Sequence, residues 1–478
     1  MSLASTTPAP FRPPAPEPRE TPIGALGTLY ALWRNPLEIW TRAHFERPVL
    51  IGRTVMGLRA VVSDPPAVRR IFLDNAANYR KDALQLRVLR PGLGAGLLTA
   101  EGEDWRAQRR ALAPLFSPRL VADFAPAMHR VAAAATDRYL TRRDGRISDV
   151  ALDMARVTLE VLEQTLFSQG LARGAEAFQQ AVTRYFDTFG RLDPLDLIGA
   201  PRFLPRFWRL RGRSTLQFFE AAVDDIIAAR QRLIESGASA PTDLLTLLLR
   251  AQDPQTGRAI SHEDVRANIV TFIGAGHETT ANALTWSLYL LSQSPEWRAR
   301  AEADVEAGFD PENQADPSDS LPVVKAVLEE ALRLYPPAAF LSREAIAEDW
   351  LAGARIPAGT VVTVAPFVLH RHRRLWSDPD AFDPSRFLGD NRERIDRYAY
   401  LPFGAGPRVC IGMSFALQEA VIVLAHLLRA LRFDLAPNHV VEPIQRLTLR
   451  PRFGMNMIVR RRAPQLGTGG SNFFAKTV

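Results

Sequence analysis

Apolar positions along this chain recur at two periods, and the changes of period mark where strands give way to helices. Residues 59–74 (RAVVSDPPAVRRIFLD) predict a short strand, a proline-marked helix start and an amphipathic helix. From about residue 105 to 249 the pattern is mostly helical, broken by loop-forming stretches such as RLDPLDLIGAPRFLPRF. Residues 267–292 (ANIVTFIGAGHETTANALTWSLYLLS) are apolar almost all round, so they predict a long helix crossing the interior, and the polar residues within it need a reason. Residues 321–335 predict a helix stopped by Pro336 and Pro337, and 354–367 a strand and turn. The closing LTLRPRFGMNMIVRRR predicts a terminal hairpin. The expected class is mainly α with smaller β-sheets (α+β). A single domain is expected over 21–462, between a flexible proline-rich arm (1–20) and a flexible tail (463–478).

Of the 478 residues 47% are hydrophobic and 23% charged, an ordinary globular balance that can fill a sizeable core. Lys+Arg outnumber Asp+Glu by 59 to 52, and the surplus is nearly all arginine, with lysine only at Lys81, Lys325 and Lys476. The arginines are scattered. That fits a solvated arginine-rich surface, or one that meets an acidic electron-donor protein, and not a nucleic-acid footprint. No stretch approaches the roughly 18 uninterrupted apolar residues of a membrane span. The first twenty residues also lack the apolar run of a signal peptide, so a cytoplasmic protein is expected. No glycine-x-glycine-x-x-glycine loop is found; PGLGAGLL at 91–98 has the wrong spacing, so no fused flavin or nicotinamide domain is expected.

Cys410 is the only cysteine, which excludes internal disulfides, iron–sulfur clusters and four-cysteine zinc sites by counting. It sits in Phe403-Gly404-Ala405-Gly406-Pro407-Arg408-Val409-Cys410-Ile411-Gly412, between a glycine-rich turn and an apolar helix. Three glycines and a proline imply a tight, preorganised loop that displays the cysteine. Backbone N–H groups at the start of the following helix would favour thiolate over thiol.

This segment closely resembles the heme-binding signature of the cytochrome P450 family, whose positions Phe403, Gly404, Gly406, Arg408, Cys410 and Gly412 are all present. The resemblance spans roughly residues 22–460 and keeps the family's motif order. It implies the P450 fold, with heme b buried between a long central helix and the cysteine-loop helix. Cys410 would be the axial iron ligand, Phe403 would pack near the sulfur, and Arg408 would meet a heme propionate. A thiolate ligand pushes electron density to iron and favours O–O cleavage.

Further motifs carry the same resemblance. Glu330 and Arg333 stand at i and i+3 on one helix face, and with Arg386 they resemble the family's buried glutamate–arginine–arginine triad, a structural element. In AGHETT, a carboxylate and a hydroxyl inside an apolar helix mark a water-accessible pocket. Thr279 can bond back to the Ala275 carbonyl and thereby open or kink the helix. The resemblance assigns Thr279 to hydrogen-bonding dioxygen and Glu278 to proton delivery. It also makes Trp105, Arg109 and Arg343 propionate contacts and places Ala275 beside the heme. His277 reads as a solvent-facing or core histidine, and His370 and His372 as a surface loop.

By motif position, Leu98, Ala275, Ala338, Ala339, Phe340 and Leu447 face the pocket, and their apolar character suits a hydrophobic substrate. The chain looks like a branch rich in fatty-acid hydroxylases, with terpenoids, other lipids and aromatic compounds also compatible. The implied activity is a monooxygenase that uses O2 and electrons from NAD(P)H through separate redox proteins, a ferredoxin or flavodoxin and its reductase. Arg106 and Arg110 are candidate docking residues, and a monomer is expected. Peroxygenase, isomerase or dehydratase chemistry would not need Glu278 and Thr279. A heme gas sensor would need an output domain.

Overall fold

A computed structural model describes residues 10–54, 57–168, 193–197, 200 and 213–462. The central helix, His262–Gln293, is buried on nearly all sides, as its sequence requires. Ser261 caps it by accepting from the Asp264 N–H (3.1 Å). Three of its buried hydroxyls, at Thr271, Thr285 and Ser287, return to carbonyls four residues earlier. Helices Val150–Leu162, Pro322–Leu334 and Met413–Ala430 pack against it.

The strands form small sheets to the side of this bundle. Strands β1 (Val49–Thr54), β2 (Gly57–Val62), β3 (Tyr79–Arg80), β5 (Leu341–Ala345) and β8 (Val361–Val364) make one sheet in the order β1-β2-β8-β5-β3, with β2 and β8 parallel. After β2, Asp64 caps the short helix Pro65–Arg69 through the Ala67 N–H, and the predicted strand–proline–helix unit is complete. Strands β6 (Asp349–Leu351) and β7 (Ala354–Ile356) form a small hairpin, and residues 354–367 hold β7, a turn and β8.

The C-terminal segment departs from expectation. Residues 447–462 do not fold back on themselves as a hairpin. β11 (Leu449–Pro451) pairs with β10 (Pro443–Gln445), while β12 (Asn456–Arg461) lies between β4 (Arg146–Asp149) and β9 (Leu431–Leu435). Partners far away in the sequence win both strands, which local alternation cannot reveal. β4 itself interrupts a region read as helical.

The first residues also differ from the expected flexible arm, from residue 10 onward. Phe11 packs edge-on against Tyr289, and its carbonyl accepts from the Phe382 N–H (2.8 Å). Tyr335 Oη donates to the Pro14 carbonyl (2.8 Å), and Tyr335 stacks on Trp286 at 3.9 Å. Proline keeps this strap extended, so buried anchors fix it at low entropic cost. The tail 463–478 and most of the loop after residue 190 lie outside the described residues.

One described helix, Met413–Ala430, is long and apolar enough to cross a membrane, and it is mostly buried within the protein.

Candidate active site

The cysteine loop is shaped by two left-handed glycines, Gly404 (φ 72°) and Gly406 (φ 69°). A Cβ on Gly406 would stand 1.8 Å from the carbonyl oxygen of Phe72, so only glycine fits. The Val409 N–H donates to the Gly406 carbonyl (3.0 Å) and the Cys410 N–H to that of Phe403 (2.9 Å). Gly412 then caps Met413–Ala430. Cys410 lies inside the protein, with its accessible surface facing a large cavity. Burial pushes its thiol up, against the pull of the Gly412 N–H and the Arg109 charge. The bias toward thiolate expected from the helix start is thus present but outweighed. A metal ion held by Cys410 would supply what is missing, because a coordinating thiol is deprotonated outright.

The cavity encloses about 1370 Å³. Ordinary ligand pockets occupy roughly 300–1,000 Å³, so this one has room for a macrocycle and a substrate together. Leu98, Ala275, Ala338, Ala339, Phe340 and Leu447 all stand on its wall. Phe340 stacks on Trp40, which also lines the cavity, ring on ring at 5.4 Å.

The cations on its wall include Arg109, Arg343, Arg408 and Lys81. Burial lowers the pKa of each, that of Arg343 to about 10 and that of Lys81 to about 7. Neighbouring positive charge adds to the effect at Arg343 and Lys81, and Glu101 and Asp82 offset it only in part. Buried positive charge in excess is costly unless an anion meets it. The two propionates of a heme b are such an anion, and Cys410 faces the same space, so the residues present fit that group. Arg408 also donates to the Ala100 carbonyl (3.1 Å) and pairs with Glu101 (2.9 Å), with its guanidinium 4.1 Å from the centre of the Trp105 ring. Trp105 therefore stacks on Arg408, although Arg109 was its expected companion. Lys81, whose Nζ donates to the Leu98 carbonyl, was missed. Its signal was that it is one of only three lysines.

On the central helix, Thr279 Oγ1 donates to the Ala275 carbonyl (2.6 Å) as expected, and Thr279 reaches the cavity. The helix continues unbroken through the motif, so the expected opening is not seen. Glu278 is not on the cavity wall. Its Oε1 accepts from Nη1 of Arg450 on β11 (3.2 Å). His277 is a core histidine: its Nδ1 meets Thr158 Oγ1 (3.2 Å), and burial alone lowers its pKa to about 4.

Away from the cavity, Glu330 and Arg333 are fully buried and joined by two bonds of 2.6 and 2.7 Å. The remaining Arg333 donors reach the carbonyls of His370, Pro379 and Ala381, and the Asp383 N–H donates to Glu330. Arg386 completes the group 3.6 Å from Glu330. His370 and His372 are buried here, not at the surface. The Leu401 N–H donates to His370 Nε2 (2.8 Å), so its Nδ1–H donates to the Arg333 carbonyl (3.2 Å). The arginines that follow them made the segment look solvated. Among the described residues no cluster of His, Cys, Asp and Glu could hold a metal ion. Of the proposed docking residues, Arg110 is tied to Asp253 (2.8 Å) and Glu103 (3.0 Å), and Arg106 pairs with Glu103 (3.2 Å) while staying exposed.

A single cysteine facing a cavity with buried cations on its wall fits the class of protein that would hold a b-type heme through one thiolate. The Cytochrome P450 family model matches residues 18–457. Cyclooctat-9-en-7-ol 5-monooxygenase of Streptomyces melanosporofaciens is 32% identical, over 87% of this chain and 88% of that protein. Pentalenene oxygenase of Streptomyces avermitilis is 31% identical, over 89% and 93%. The crystal structure of the cytochrome P450DA heme domain is similar with a TM-score of 0.80 at 27% identity, covering 95% of this chain and 99% of that one. The chain belongs to the cytochrome P450 family. It is a P450 monooxygenase with heme b as its cofactor.

Proposed function

We propose that this monooxygenase hydroxylates a terpenoid or another lipid-like molecule that fills the apolar wall formed by Leu98, Ala338, Ala339, Phe340 and Leu447. The observation that carries this reading is the cavity itself, large and mostly apolar on its wall, with Ala275, Ala339 and Phe340 among the lining residues. Similarity to enzymes named for cyclooctat-9-en-7-ol and pentalenene favours terpenoids over fatty acids. The overall balance is one C–H bond, one O2, two electrons and two protons giving one alcohol and one water.

Bound to Cys410, the heme supplies the activation of dioxygen. The chain's own residues do the rest. Arg109, Arg343, Arg408 and Lys81 hold the propionate edge, and Trp105 keeps Arg408 in place. Phe340, stacked on Trp40, orients the substrate by shape. Thr279 presents a hydroxyl to the reacting oxygen, and Glu278 passes protons inward from solvent. Electrons come from a ferredoxin or flavodoxin and its reductase, drawing on NAD(P)H. Exposed Arg106 on the Cys410 side offers a contact for an acidic partner, whereas Arg110 is committed to Asp253. The setting is cytoplasmic and the protein a monomer.

The test is a titration of heme-loaded protein with terpenoids, fatty acids, steroids and small aromatics, read by the absorbance change when water leaves the heme. A saturable shift with terpenoids supports the reading. A shift with another class alone replaces it.

A further inference from the structure

Leu98 borders the cavity from a glycine-rich segment that two sets of contacts hold in place. The central helix supplies the first set. Asn268 Oδ1 accepts from the Leu97 N–H (2.8 Å). A Cβ on Gly96 would stand 2.5 Å from Thr271 Oγ1 and 2.7 Å from the Ala267 carbonyl oxygen, so the segment lies directly on the helix. Cations supply the second set. Lys81 Nζ donates to the Leu98 carbonyl, Arg408 donates to the Ala100 carbonyl (3.1 Å), and Arg408 also pairs with Glu101 (2.9 Å). Lys81 is only 6% exposed. A buried ammonium must keep its donors bonded, because an unmet one is costly. The carbonyl it holds belongs to the residue whose side chain stands on the substrate wall.

We propose that Lys81 is a positioning residue for substrate selection: by holding the Leu98 peptide it fixes where the Leu98 side chain stands on the cavity wall, and so how tightly a long apolar molecule fits. This rests on the monooxygenase reading above, in which Lys81 also meets a heme propionate. The ammonium carries three N–H donors, so it serves the propionate and the Leu98 carbonyl together. Filling the heme site thereby secures the substrate wall as well. Lys81 touches no substrate in this scheme and acts on it only through Leu98.

The test is the binding of two azoles to heme-loaded protein, read by the absorbance change as an imidazole nitrogen takes the iron. Imidazole is too small to reach the wall, whereas 1-dodecylimidazole carries a chain that must lie against it. Lys81→Met should weaken 1-dodecylimidazole about fourfold, the effect of one methylene left unburied, and leave imidazole unchanged. In a Leu98→Ala background, Lys81→Met should change neither azole, because the side chain it positions is gone. Lys81→Gln shortens the reach and removes the charge, so it must behave as Lys81→Met and replaces that variant if it fails to hold heme. Three results would overturn the role of Lys81 alone: equal weakening of both azoles, weakening of neither, or the full effect persisting beside Leu98→Ala. An unsubstituted protein with no thiolate-heme spectrum would remove the monooxygenase reading itself.

Discussion

Gly406 is constrained twice, by a left-handed φ of 69° and by the Phe72 carbonyl, which occupies the place of any side chain. Gly406→Ala is expected to displace the cysteine loop and lower heme occupancy at least severalfold, measured as heme per polypeptide after purification. Cys410→Ala should lose the heme or its thiolate spectrum. Thr279→Ala should keep both and divert reducing equivalents to peroxide or water, so a Thr279→Ala variant that stays fully coupled would contradict the proton-delivery role. At this scale the sequence was unusually readable. A lone cysteine in a glycine-rich loop has few other uses, and Thr279 lay within reach of its i−4 carbonyl by helical spacing alone. Lys81 was not readable, since it reaches the site from a segment whose docking depends on distant contacts. The direction of Glu278 was not readable either, since its carboxylate meets Arg450, 172 residues away.

At the scale of elements, Glu330 and Arg333 tie helix Pro322–Leu334 to the segment carrying His370, Pro379 and Ala381. All five bonds of the guanidinium go to buried acceptors, so removing it strands a carboxylate in the core. Arg333→Ala is expected to cost about 3–5 kcal/mol, the penalty for breaking a buried pair. The measurement is chemical denaturation of heme-loaded protein, and a loss below about 1 kcal/mol would place the pair among merely surface-like contacts. The central helix and Pro322–Leu334 were legible because their periodicity and proline stops are local signals. The ends of the chain were not. The expected terminal hairpin failed because β12 finds partners in β4 and β9, and the expected loose arm failed because Phe11 and Pro14 find Phe382 and Tyr335.

At the scale of the molecule, burial holds several histidines neutral: the pKa falls to about 4 at His277 and His426 and to about 3 at His370. The unfolded chain takes up protons at these positions near pH 6.5, well before the native state does. Each therefore contributes stability that is present above about pH 6.5 and is lost as pH falls toward 4. The midpoint of thermal unfolding should drop steadily across that window, and a flat profile would show that these rings are solvated in the native protein. The net charge of +7 and exposed Arg106 should make reduction by an acidic ferredoxin slow with added salt. Arg106→Glu should weaken that dependence, measured by stopped-flow reduction at several ionic strengths.

The most direct test of the whole account is the mass of the product formed under 18O2 by the heme-loaded protein, its redox partners and the substrate selected by titration. The account predicts one heavy oxygen atom in each product molecule, with the other in water. Product carrying no heavy atom, or oxygen drawn from the solvent, would contradict it.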